Sequence, residues 1–170
     1  MLASDRLGSG RAVALVHGFT QTRRCWNGLD ELLAERHEVI RIDLPGHGDA
    51  TPLALPLVEV ADALADEIGP AIWVGYSMGG RHVLQLAADR PEVVEGAVLI
   101  GATAGIDDPT DRADRHRLDG ERASQVIANG VDAFLESWLA MPMFSTVPAS
   151  AAHLDERRRN TVEGLATSLL

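Results

Sequence analysis

Three times in its first hundred residues, a short apolar run rich in β-branched and small residues stops at a glycine-bearing turn and gives way to helical spacing. The runs are Ala12 to Val16, Val39 to Leu44 and Ala71 to Val74, with a fourth at Val93 to Ile100. Between them, Trp26, Leu29, Leu32 and Leu33 recur at helical spacing across Thr22 to Arg36. Val58 to Ile68 sets apolar residues at 60, 61, 64, 65 and 68 among acids, and Arg81 to Asp89 is a helix-former stretch that Pro91 ends. Strand alternating with helix predicts an α/β fold: a parallel sheet, right-handed crossovers and helices on both faces. Pro45-Gly46-His47-Gly48 halts the second strand, and the loop from there to Pro56 is expected to be exposed.

Beyond Gly101 the character changes. Asp107 to Asn129 is charged and helical, Val131 to Ala140 continues with an aromatic face, and Ser150 to Leu170 is a further helical pattern. The expected organisation is a sheet-bearing core over residues 1–104 and a helical appendage over 105–170. Composition narrows the function classes. Twenty-five acidic residues against 15 basic ones give a formal charge of -10, which disfavours nucleic acid as a partner. Every basic residue is arginine, so Schiff-base chemistry and a P-loop lysine are absent. One cysteine, Cys25, allows no internal disulfide, and no metal-ligand cluster or dinucleotide fingerprint is present, so neither metal nor cofactor is expected. No run approaches the ~18 residues that could span a bilayer, and no secretion segment follows Met1, so no membrane partner is expected and the cytoplasm is the default location.

The chemistry-bearing motif is Gly75-x-Ser77-x-Gly79, lying between an expected strand and an expected helix. That is the setting of a nucleophile elbow: a sharp turn forces the serine into a strained backbone and exposes it at the strand tip, while glycines remove Cβ atoms that would collide. His17-Gly18-Phe19, after an earlier strand, can supply a second backbone N–H beside that of the residue after the serine. Phe19 and Met78 are therefore the candidate oxyanion donors. A glycine-rich turn that merely packs helix on strand is the bland alternative.

His17-Gly18, Asp43-Leu44-Pro45-Gly46-His47-Gly48 and Gly75-Tyr76-Ser77-Met78-Gly79-Gly80 resemble, in order and separation, the α/β-hydrolase superfamily. With Arg81 the elbow is similar to that of the 2-succinyl-6-hydroxy-2,4-cyclohexadiene-1-carboxylate synthases of menaquinone biosynthesis. Arg112 to Arg117, Trp138 with Pro142 and Phe144, and Arg157-Arg158-Arg159-Asn160 before Gly164-Leu165-Ala166 resemble that family's cap. The resemblance implies a substrate with several carboxylates and a lyase reaction, in which Ser77 abstracts a proton and pyruvate is expelled. It implies Tyr76, Arg81, Arg115, Trp138 and Arg157 as substrate-binding residues, with Arg158 or Arg159 as alternatives to Arg157. Arginine suits the task, since its planar fork binds a carboxylate in bidentate fashion and stays charged. Cap arginines among five aspartates from Asp107 to Asp119 could equally be a solvated face of i,i+3 and i,i+4 pairs.

The proton relay is the missing part. In the superfamily an acid and then a histidine follow the serine, each after a later strand. After Ser77 come only His82, His116 and His153, none of which follows a strand. His82 is expected to point away from the serine tip, and His17, His37 and His47 to be packing or surface residues. The expectation is a superfamily chain cut within its cap, inactive by itself, with an apolar edge on its last strand open to self-association. An ordinary ester or carbon–carbon hydrolase, and a non-catalytic binding module, are the competing readings.

Overall fold

The computed structural model describes residues 2–50 and 55–170. Its strands are β1 (Ala3–Gly8), β2 (Arg11–Val16), β3 (His37–Asp43), β4 (Ala71–Tyr76) and β5 (Val94–Ile100), forming one sheet in the order β1-β3-β2-β4-β5. β2 to β5 are the four apolar runs of the sequence and pair in parallel. β1 was not foreseen, and it runs antiparallel to β3, so the sheet is mixed rather than all-parallel. Alternate residues of β1 face inward, but one of them is Asp5, which hydrogen-bonds Arg41 and Arg23. An ion pair thus replaces the apolar residue that would have made the period visible.

Helices α1 (Leu29–Ala34), α2 (Leu57–Ile68) and α3 (Met78–Asp89) cover the sheet. On one face Val60 and Leu64 of α2 and Val83 and Leu86 of α3 pack on Ala14, Val16, Ile40, Ile42 and Trp73. On the other, Trp26 and Leu33 close over Val13, Leu15, Val39 and Val74. The helix expected over Thr22 to Arg36 is real only at its end. Asn27 and Gly28 take positive φ (53° and 81°), so residues before Leu29 form turns that still deliver Trp26 to the core.

The helical region begins at α4 (Pro109–Leu139), whose N-terminus is capped by Asp108, accepting from the N–H groups of Thr110 (2.7 Å) and Asp111 (3.1 Å). Gly130 (φ 80°) breaks α4 where the sequence divides its two helical patterns. The pattern expected over Ser150 to Leu170 resolves into a 3-10 turn and two short helices, α5 (Leu154–Arg157) and α6 (Val162–Thr167). Val126 and Phe134 of α4 and Leu165 of α6 pack together against Phe19, which follows β2. Those helices therefore sit over the C-terminal ends of the strands. β5 is an outer strand, with Val98, Leu99 and Ile100 exposed among the described residues. The loop expected after Gly48 lies partly outside the described residues, and no helix among them is long and apolar enough to cross a membrane.

Candidate active site

Ser77 joins β4 to α3 with φ 52° and ψ -111°, a left-side backbone that a residue with a Cβ adopts only under constraint. Its N–H donates to the Ile100 carbonyl (2.8 Å), tying the elbow to β5. Glycines make the turn passable. A Cβ on Gly75 would lie 2.6 Å from the Gly80 Cα, and one on Gly79 would strike the Val16 and His17 carbonyl oxygens. Gly79→Ala should thus cost about 3 kcal/mol, the upper end of ordinary overpacking, because backbone rather than a pliable side chain must yield. Urea denaturation checks this; a loss under about 1 kcal/mol would mean that strand and helix can part without strain.

Facing the elbow is the loop after β2. Gly18 N–H donates to the Gln21 side chain (2.9 Å), and the Gln21 N–H returns to the Gly18 carbonyl (3.1 Å). Thr20 (φ 66°) is fully buried and held on every polar atom. Its N–H donates to His47 Nε2 (3.2 Å), its carbonyl accepts from Asn160 Nδ2 (2.7 Å), and its hydroxyl accepts from Arg157 Nη1. Asn160 also accepts from the Gly48 N–H (2.9 Å), so one side chain ties both glycine loops to the helical region. Between these fixed points, the backbone N–H groups of Phe19 and Met78 have no hydrogen-bond acceptor among the described residues. Both residues line, with half-buried Ser77, a cleft of about 780 Å³.

None of the chain's six histidines hydrogen-bonds Ser77. His17 and His47 are buried and pair with backbone. His17 Nδ1 contacts the Gly18 carbonyl (2.8 Å) while its Nε2 accepts from the Leu44 N–H (3.2 Å). His17 Nε2 also lies 4.0 Å from Asp43, but a nitrogen that accepts an N–H carries no proton, so this is not an ion pair. Desolvation lowers the pKa of His17 to about 4 and of His47 to about 3. His82, expected to point away from the serine tip, lines the same cleft as Ser77 without hydrogen-bonding it. Its Nδ1 is buried without a partner, and desolvation lowers its pKa to about 4.

Tyr76, Arg81, Arg115, Trp138 and Arg157 all line this one cleft. Arg157 is 5% exposed and donates to the Ala152 carbonyl (2.7 Å) and the Thr20 hydroxyl, with no carboxylate in ion-pair range among the described residues. Arg81 is exposed and has no carboxylate within ion-pair distance among the described residues, although the charge of Asp119 acts on it. Desolvation lowers both arginine pKa values, aided at Arg81 by the positive charge of Arg115 and opposed there by the negative charge of Asp119. The alternatives to Arg157 are engaged elsewhere: Arg158 with Asp132 and Asp155, Arg159 with Asp49 and Glu156. Arg112 and Arg117 are ordinary surface groups, bonded to the Ile106 carbonyl and to Glu121. Trp138 packs edge-on against Phe19 (5.2 Å), and its indole N–H is buried without an acceptor. Arg122 and Asp119, not singled out from sequence, line the cleft too, although their i,i+3 spacing was readable. Thr20 was also missed, and Asn160 entered only as part of the cap motif, with no role given to it.

A strand, strained serine turn and helix facing a loop with a free N–H define a class, and the chain belongs to the alpha/beta hydrolase family, which matches residues 13–168. A Bacillus subtilis (strain 168) protein provisionally named 2-succinyl-6-hydroxy-2,4-cyclohexadiene-1-carboxylate synthase is 32% identical over 99% of this chain and 66% of its own length. A pimeloyl-[acyl-carrier protein] methyl ester esterase of Xanthomonas oryzae pv. oryzae (strain MAFF 311018) is 42% identical over 58% of this chain and 40% of its own length. The chain thus spans about two thirds of the length of the first and two fifths of the second. Among solved structures, MenH from S. aureus superposes with a TM-score of 0.88 at 22% identity, over 98% of this chain and 69% of that one.

Proposed function

We propose that the cleft binds a small-molecule polycarboxylate beside Ser77, and that the chain carries the ligand-binding and proton-accepting part of a lyase of the 2-succinyl-6-hydroxy-2,4-cyclohexadiene-1-carboxylate synthase type. The observation that carries this reading is the pair of cleft guanidiniums, Arg81 and Arg157, without carboxylate partners. Stranding cations in a partly desolvated cleft is costly unless a ligand supplies the counter-charge. Similarity to the Bacillus subtilis protein along nearly the whole chain supports the same choice.

In this reading the ligand's carboxylates lie on Arg81 and Arg157, and Arg115, Tyr76 and the Trp138 indole complete its surroundings. Ser77 Oγ accepts the proton from carbon. The N–H groups of Phe19 and Met78 receive the enolate-type charge that develops, before pyruvate leaves. Serine is too weak a base to do this alone and needs an imidazole to pass the proton on. No histidine of this chain stands in that relation to it, so residues 1–170 by themselves should release no pyruvate and turn over no simple ester in a Ser77-dependent way. Comparing this chain with Ser77→Ala on both substrates tests the point, and any rate abolished by the substitution would refute it.

An ester-cleaving reading draws on the esterase similarity, which covers only part of the chain. Arg81→Ala separates the two. It should lower affinity for a polycarboxylate by about tenfold or more, the range of a lost charged hydrogen bond, while leaving a neutral ester's binding unchanged. Equal loss for both ligands would favour the esterase.

A further inference from the structure

Gln21 lines the cleft together with Phe19, Tyr76 and Arg157. The turn from Gly18 to Gln21 is closed twice, by the Gln21 N–H on the Gly18 carbonyl (3.1 Å) and by the Gly18 N–H on Gln21 Oε1 (2.9 Å). The second bond fixes which way the amide lies. A backbone N–H only donates, so the side-chain atom facing it must be the oxygen, and Nε2 with its two hydrogens is turned away from Gly18. No acceptor among the described residues takes a hydrogen bond from Nε2, and half-buried Gln21 borders the open cleft. The residue is also held in place from both sides. Thr20, which precedes it, is bonded by His47, Asn160 and Arg157. Gly18 has no room for a Cβ, which would lie 2.8 Å from Tyr76 Cδ1 and 3.1 Å from Gln21 Oε1, so amide and ring share the space its missing side chain leaves.

Resting on the polycarboxylate reading above, we infer that Gln21 is a ligand-binding residue, its Nε2 donating to an oxygen of the ligand carboxylate bound beside Arg157. A carboxylate offers about four lone-pair sites and one guanidinium fills at most two, so a neutral amide donor adds to the shell without adding charge. Because Oε1 is already tied to Gly18, the amide has little rotamer freedom left to lose when the ligand arrives. The loop that Arg157 holds through the Thr20 hydroxyl is thus the loop that presents a second donor to the same ligand.

The test titrates tricarballylate into the nitrogen-15-labelled 170-residue chain, followed by NMR and by calorimetry. The two Nε2 proton resonances of Gln21, assigned by their loss in Gln21→Glu, are expected to separate as one moves downfield, saturating with the calorimetric affinity. Gln21→Met, neutral and without a donor, is expected to lower that affinity about tenfold, and Gln21→Glu to lower it further. Glutamate retains an oxygen for the Gly18 N–H while replacing the donor with a repelling oxygen. A residue that only braced the turn would give the reverse order, with Gln21→Glu close to the unsubstituted chain and Gln21→Met the weaker binder. Met143→Glu, which puts the same charge at the exposed rim of the cleft, controls for charge and should change affinity by about twofold at most. Stationary Gln21 amide resonances at saturation, or that reverse order, overturn the inference and leave the polycarboxylate reading standing. Failure of the unsubstituted chain to bind tricarballylate overturns both.

Discussion

Arg157→Met is expected to weaken polycarboxylate binding on the order of 100-fold while leaving the fold as stable as before or more so. The two effects have opposite signs because the guanidinium is buried without a counter-ion. Its hydrogen bonds to the Ala152 carbonyl and Thr20 hydroxyl contribute about 1.5–3 kcal/mol each at most. Against them stands the desolvation of a full charge, several kcal/mol even after relaxation, which is why its pKa is lowered. An apolar side chain of similar length removes both terms, so stability should stay level or rise by up to about 2 kcal/mol. Urea midpoints and calorimetric affinities measured on the same preparation check the pair. A loss of stability near 3 kcal/mol with affinity intact would make Arg157 a strut between α5 and the Thr20 loop rather than a ligand-binding cation.

Acidification should unfold the protein over an unusual range. His17, His47 and His82 are neutral in the folded chain, with pKa values lowered to about 4, 3 and 4. In the unfolded chain each titrates near 6.5. Their neutrality is built into the geometry, since Nε2 of His17 and of His47 accepts a backbone N–H and protonation would break that bond. As pH falls below about 6.5 the unfolded state takes up protons that the folded state refuses, so the stability contributed by these groups is complete above that pH and is lost toward pH 4. Each histidine contributes a slope of about 1.4 kcal/mol per pH unit, so the three together approach about 4 kcal/mol per unit. Chemical denaturation from pH 8 to 4 should show a plateau above neutrality and a steep decline beneath it. His82→Phe should flatten the decline by about one third. A flat profile between pH 7 and 5 would mean that at least two of these rings are protonated in the fold.

The legible parts of this molecule were those in which one local rule acts alone. Strands β2 to β5 announce themselves as apolar runs, and the Ser77 elbow as a glycine pattern between a strand and a helix. The strained Asn27-Gly28 step cut α1 short because positive φ there outweighed a good apolar period. β1 stayed hidden because Asp5 occupies an inward position that Arg41 and Arg23 satisfy from distant sequence. The same limit applied at the site. Arg81 lies one turn after Ser77 and was implied by the family resemblance of the elbow, but the clamp on Thr20 joins residues 137 and 140 positions apart, through Arg157 and Asn160. Such pairings follow from the way α5 and the turn after it dock onto the β2 loop, which local sequence patterns do not encode.

The most direct test of a cleft built for several carboxylates is a comparison of tricarballylate with its uncharged trimethyl ester, titrated into the 170-residue chain at low and at high salt. The ester keeps the carbon skeleton and removes the charge. Saturable 1:1 binding of the acid, weakened by salt and absent for the ester, is the predicted result. Equal binding of the two, or binding of neither, would contradict it.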